Sequence, residues 1–131
     1  MMPPTTPPIT PFVTWSPSLK VGNEIVLSGV TARGREGTEG GASMEGQTLA
    51  VLRRIAALVE AAGGGVQNVY KLVIYVTDIA AKDEVNRARA AFFKGAFPCS
   101  TLVEVKGLVF PDLKIEIDAF ANLTVDRHAG N

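Results

Sequence analysis

The sequence predicts an α+β fold, a mixed sheet of five to six strands with two helices packed on one face. Three observations carry that prediction. Residues 114–121 (KIEIDAFA) alternate strictly, with Ile115, Ile117 and Ala119 on one side and Glu116, Asp118 and Phe120 on the other. Residues 69–77 (VYKLVIYVT) are apolar on both sides, as an interior strand is. Two further stretches repeat apolar residues at three- and four-residue steps, so the order reads strand, strand, helix, strand, helix, strand, strand.

The chain has 131 residues, enough for one domain with a core and too few for two. Residues 1–11 hold Pro3, Pro4, Pro7, Pro8 and Pro11 and read as a polyproline-II arm. Residues 12–126 form the domain, and residues 127–131 a tail carrying the single histidine, His128. An apolar content of 47% and a mean hydropathy of +0.20 exclude a disordered chain. No apolar run approaches the roughly 18 residues of a membrane span. The start shows no basic residue ahead of an apolar segment, so no secretory signal is expected. One cysteine excludes an internal disulfide and a multi-cysteine zinc site, which fits a cytoplasmic setting; no metal or organic cofactor is expected. Thirteen acids balance thirteen bases, against a nucleic-acid binder.

Taken in order, the chain is extended from Phe12 to Lys20, turns at Val21-Gly22-Asn23-Glu24, and enters a strand at Ile25–Ser28. Residues 33–41 (RGREGTEGG) match neither GxGxxG nor GxxxxGK[ST] and read as a mobile surface loop, with a lid as the functional alternative. Ser43 is the expected N-cap of a helix with Met44, Thr48, Val51, Leu52, Ile55, Leu58, Val59 and Ala62 on its inner side. Gly63-Gly64-Gly65 stops it. In the strand 69–77, Leu72, Ile74 and Val76 point one way and Val69, Val73 and Tyr75 the other. A second helix is expected from Asp83 to Lys94, closed by Gly95. Residues 101–105 and 114–121 then form a hairpin turning at Pro111-Asp112. Two helices blanket one sheet face, so the other face calls for a second copy of the chain.

Several segments resemble the RidA (YjgF) family, the reactive-intermediate deaminases once labelled translation inhibitors or endoribonucleases. They are Lys20-Val-Gly-Asn leading into Val26-Leu-Ser-Gly29, Val59-Glu-Ala-Ala-Gly63, and residues 69–78. Asn86 with Phe92-Phe93, Pro98, Val103-Glu-Val105 and Lys114–Ala121 complete the set. The resemblance spans roughly residues 12–125 and implies a chorismate-mutase-like fold, assembled as a homotrimer with small-molecule clefts between subunits.

The resemblance also implies site residues. Glu116 matches the glutamate that handles the attacking water, for which a carboxylate is a competent proton acceptor. Trp15, or Phe12 in a shifted register, aligns with an aromatic lining the cleft, and Ser28-Gly29 with a turn close to the ligand. The family's P-A-R-[ST] stands here as Pro98-Cys99-Ser100-Thr101, so Ser100 replaces an arginine that pairs with the substrate carboxylate. Losing two charge-assisted hydrogen bonds of about 1.5–3 kcal/mol each weakens such binding by on the order of 10²–10⁴-fold. The family's usual substrate is therefore not expected to bind in the usual way, and an amino-muconate-like or uncharged imine is. Arg33 is the candidate replacement cation, against a plain reading as a solvated loop arginine. Cys99 reads as a small, partly buried spacer beside the cleft, against a reactive thiol.

The leading expectation is a deaminase-type hydrolase acting on a small imine or enamine. The alternatives are a non-catalytic trimer that binds a metabolite or a protein, and an endoribonuclease. The last has little support, since the chain offers no histidine pair and no run of bases.

Overall fold

The computed structural model describes residues 14–129, so the proline-rich arm and Phe12 lie outside the described residues. Nine strands and helices follow in order: β1 (Ser18–Val21), β2 (Glu24–Thr31), β3 (Arg33–Gly34), β4 (Gly37–Thr38), α1 (Met44–Ala61), β5 (Val69–Val76), α2 (Lys82–Phe93), β6 (Cys99–Glu104) and β7 (Ile115–Asn122). Five strands form one sheet in the order β1-β2-β7-β5-β6, and β3 and β4 make a separate two-stranded ribbon. All pairings in the main sheet are antiparallel except β5 with β6, so the sheet is mixed, as expected.

The helices cover one face. Ser43 caps α1 by accepting from the Gly46 N–H, and Met44, Val51, Leu52, Ile55 and Val59 turn inward. The helix ends with Gly64 N–H donating to Val59 O and Gly63 N–H to Glu60 O, which satisfies two carbonyls that a helix end leaves unpaired. Beneath it, Ile115, Ile117, Ala119 and Ala121 of β7 meet Leu72, Ile74 and Val76 of β5 in one buried core. The β7 alternation is therefore real: its other residues, Glu116, Asp118, Phe120 and Asn122, are half-buried on the face without helices.

Three expectations are corrected. Residues 99–104 and 115–122 do not pair as a hairpin, because α2 carries the chain back to the start of β5 and β6 then runs parallel to it. β5 thus lies between them. Val69 joins the core rather than the opposite face: a bulge between Val69 and Lys71 adds a residue and reverses the alternation. The cap of α2 is Lys94 in the left-handed region, one residue before the expected Gly95.

Two segments read as loose are tied down. The 33–41 loop contains the β3-β4 ribbon, and Arg54 of α1 binds it by donating to Thr31 O and Arg33 O and pairing with Glu39 at 2.7 Å. At the other end, Arg127 donates to Val66 O at 2.7 Å and also to Val69 O and Ala96 O, with its guanidinium over the Phe93 ring. The chain is therefore anchored through that residue. No helix among the described residues is long and apolar enough to cross a membrane.

Candidate active site

Glu116 sits on the helix-free face, opposite Thr31 of β2 and Tyr75 of β5. The β2 pairing slips between Leu27 and Val30, so Ser28 and Gly29 bulge out of register beside it. Gly29 has φ +64 and its N–H donates to Asp118 Oδ1 at 2.7 Å. A Cβ at Gly29 would lie 3.7 Å from Glu116 Oε2, so the backbone here approaches the carboxylate closely. The other oxygen of Asp118 accepts from the Tyr75 hydroxyl at 2.9 Å.

Asp118 is thus bonded on both oxygens, whereas Glu116 accepts no hydrogen bond among the described residues. Burial first, and the Asp118 charge second, hold the Glu116 carboxyl above its ordinary range. The Asp118 contact likewise raises the Tyr75 phenol. A carboxylate that is half-buried, unpaired and raised in pKa is ready to take a proton from water.

Ser100 is elsewhere. It lies opposite Leu72, a core residue, so it points to the helix side of the sheet while Glu116 points away from it. Its hydroxyl accepts from Arg89 Nη1 of α2 at 2.7 Å. Asn86, Phe93, Phe97 and Pro98 complete a pocket of about 190 Å³ around the pair. Burial lowers the Arg89 guanidinium from its ordinary value, yet a guanidinium stays charged in proteins. The ion pairs among the described residues, Arg54 with Glu39 and Arg87 with Glu45, leave Arg89 without a carboxylate.

The other expected residues are scattered. Trp15 is 63% exposed ahead of β1, and Ser28 is exposed at the bulge. Cys99, read from the sequence as partly buried, is exposed in the single chain, because it opens the edge strand β6. The Arg33 guanidinium lies 4.2 Å over the Phe110 ring, on the ribbon, whereas Arg89 is the cation beside Ser100.

Residues 5–123 match the family described as Endoribonuclease L-PSP. A 2-iminobutanoate/2-iminopropanoate deaminase of Escherichia coli is 36% identical over 104 residues, 77% of this chain and 80% of its own length. The chain belongs to the RidA (YjgF) family. The YjgF crystal structure from Escherichia coli superposes with a TM-score of 0.75 at 34% identity, covering 88% of this chain and 90% of that one. A Pseudomonas aeruginosa protein of unknown function reaches a TM-score of 0.81 at 50% identity, covering 91% and 88%. The sheet and helix layer described above are thus the RidA fold.

Within that fold, the reading of the sequence passed over Arg89. The available signal was its position, four residues after Val85 and four before Phe93, which places a charge on the apolar stripe of α2. It also passed over Asp118 as the partner of Gly29 and Tyr75, although the strand alternation puts Asp118 beside Glu116.

Proposed function

We propose that this RidA-family chain hydrolyses a small imine or enamine, with Glu116 as the proton acceptor, in a cleft completed between copies of the chain. The observation that carries this is the state of Glu116, which is unpaired, half-buried and held above the ordinary carboxylate range. Water adds to the C=N carbon and gives a proton to Glu116. That proton passes to the nitrogen. The new hydroxyl then gives its own proton, by way of Glu116, to the same nitrogen as the C–N bond breaks, so that ammonia leaves and the carbon is left as a carbonyl. Every atom comes from the imine and one water. The relative named 2-iminobutanoate/2-iminopropanoate deaminase supports the same reaction class.

Assembly is supported by the helix-free face. Leu19, Val26, Val73, Phe120 and Val103 share it, and Leu19 and Val103 are 57% and 41% exposed in the single chain. Three copies meeting through these faces would bury that row. Ser100 and Glu116 lie on opposite sides of one chain's sheet, so a cleft that held both would draw them from different copies. RNA cleavage is the weaker reading, since the chain has a single histidine, in the C-terminal turn, and so offers no histidine pair for acid–base cleavage.

The test is ammonia release from a panel of imines and enamines generated in situ, with the assembly measured by light scattering. Release above the uncatalysed rate by an oligomer supports the reading. A stable monomer, or an oligomer releasing no ammonia from any member of the panel, refutes it.

A further inference from the structure

We propose that Arg89 is the anion contact of this chain's cleft, so that a carboxylate-bearing substrate is held from α2 rather than from position 100. The inference rests on the hydrolase reading for its substrate, but its geometry stands alone. Arg89 is half-buried in a pocket walled by Phe93, Phe97 and Pro98, and no carboxylate among the described residues pairs with it. One of its five N–H donors is spent on Ser100, which leaves the rest of the planar fork for a ligand. A cation left unpaired among apolar walls favours an anion that can share its desolvation.

Ser100 and Arg89 belong together. A short hydroxyl at position 100 leaves the space into which the guanidinium reaches and fixes its direction through the 2.7 Å bond. The cation absent from β6 is thereby supplied from the neighbouring helix. The pocket of about 190 Å³ suits a small 2-imino acid and is cramped for a large ring. The carboxylate class suggested by the family is thus retained, with the charge approached from a different side.

Binding of 2-oxobutanoate, the product such an imine would give, is measured by calorimetry for the wild type, Arg89→Lys and Arg89→Met, beside its uncharged amide. The expected order of affinity is wild type, then Lys, then Met, with the Met variant about 10–100-fold weaker for the acid. The amide is expected to show no order. In turnover of 2-iminobutanoate the same loss is expected in KM with kcat nearly kept, a split that a merely structural role would not give. Equal affinity for the acid across the three proteins, each folded and assembled alike, overturns the proposal. If Arg89→Met does not fold, the Lys variant decides, because its point charge cannot reproduce the fork. Arg89-dependent acid binding without ammonia release from any imine would keep this inference and remove the hydrolase reading. Imine turnover indifferent to Arg89 would do the reverse.

Discussion

Replacing Gln47 by Met should destabilise the chain by about 2–4 kcal/mol, because one buried side chain ties α1 by three bonds to the Gly41 loop and to residues 112–114. Gln47 is 1% exposed on the inner side of α1. Its Nε2 donates to Gly41 O at 3.2 Å and to Asp112 O at 3.0 Å, and its Oε1 accepts from the Lys114 N–H at 2.8 Å. Methionine fills a similar volume, so the loss is the three bonds and not a cavity. Gly41 and Asp112 are exposed and their carbonyls can turn to water, while Lys114 is half-buried and its N–H less easily so. Roughly 1 kcal/mol for each solvated partner and up to about 2 for the amide gives the stated range. The assay is urea unfolding at fixed protein concentration, read as a lower midpoint with an unchanged slope. Gln47→Glu should cost more at neutral pH, since it sets a carboxylate against two carbonyls. The folded-state pKa of that carboxyl is then raised, so the penalty is complete above the folded pKa, fades as pH falls from it toward the unfolded value, and is gone below the unfolded value. A change below about 0.5 kcal/mol in Gln47→Met would show that the Gly41 loop and residues 112–114 are held to α1 by something else.

The other predictions concern the loop and the site. Gly46→Ala improves helix propensity by about 1 kcal/mol, yet its Cβ would overlap the Gly40 carbonyl. A net loss of about 1–3 kcal/mol is expected in the same urea assay, and a gain would mean that the loop lifts off α1 freely. The acid limb of the pH profile of kcat/KM should lie above the ordinary glutamate value, because activity needs Glu116 ionised and burial raises its pKa. Asp118→Asn should move that limb down only in part, since the Asp118 charge is the smaller of the two causes. A limb unmoved by Asp118→Asn, or lying at or below the ordinary value, would detach the profile from Glu116.

How much of this was legible in the sequence follows from how local each cause is. The faces of β7 could be read because burial acts on alternate residues, and the start and end of α1 because Ser43 and Gly63 satisfy the helix's own backbone. The bulge after Val69 was hidden, since an extra residue in β5 is defined only against its partner β7. The expected hairpin failed for the same reason: the pairing of β6 depends on where α2 returns the chain. At the site, Glu116 was visible as a carboxylate on a strand, and Ser100 as a departure from a motif. Arg89 was not, because its meaning comes from a neighbour eleven positions on, in another element. Gln47 shows the same limit, as a polar residue on an apolar stripe whose partners lie up to 67 positions away.

Subunit complementation tests most directly the claim that one site is shared between copies. Glu116→Gln and Arg89→Met are each assayed alone, then mixed in equal amounts under conditions that exchange subunits, with 2-iminobutanoate well below KM. Each variant alone should be nearly inactive. If Glu116 and Arg89 of one cleft come from different copies, about a quarter of the clefts in random mixed assemblies regain both residues, and activity should return to about that fraction of wild type. Mixed assemblies that form but stay as inactive as the separate variants would contradict the account.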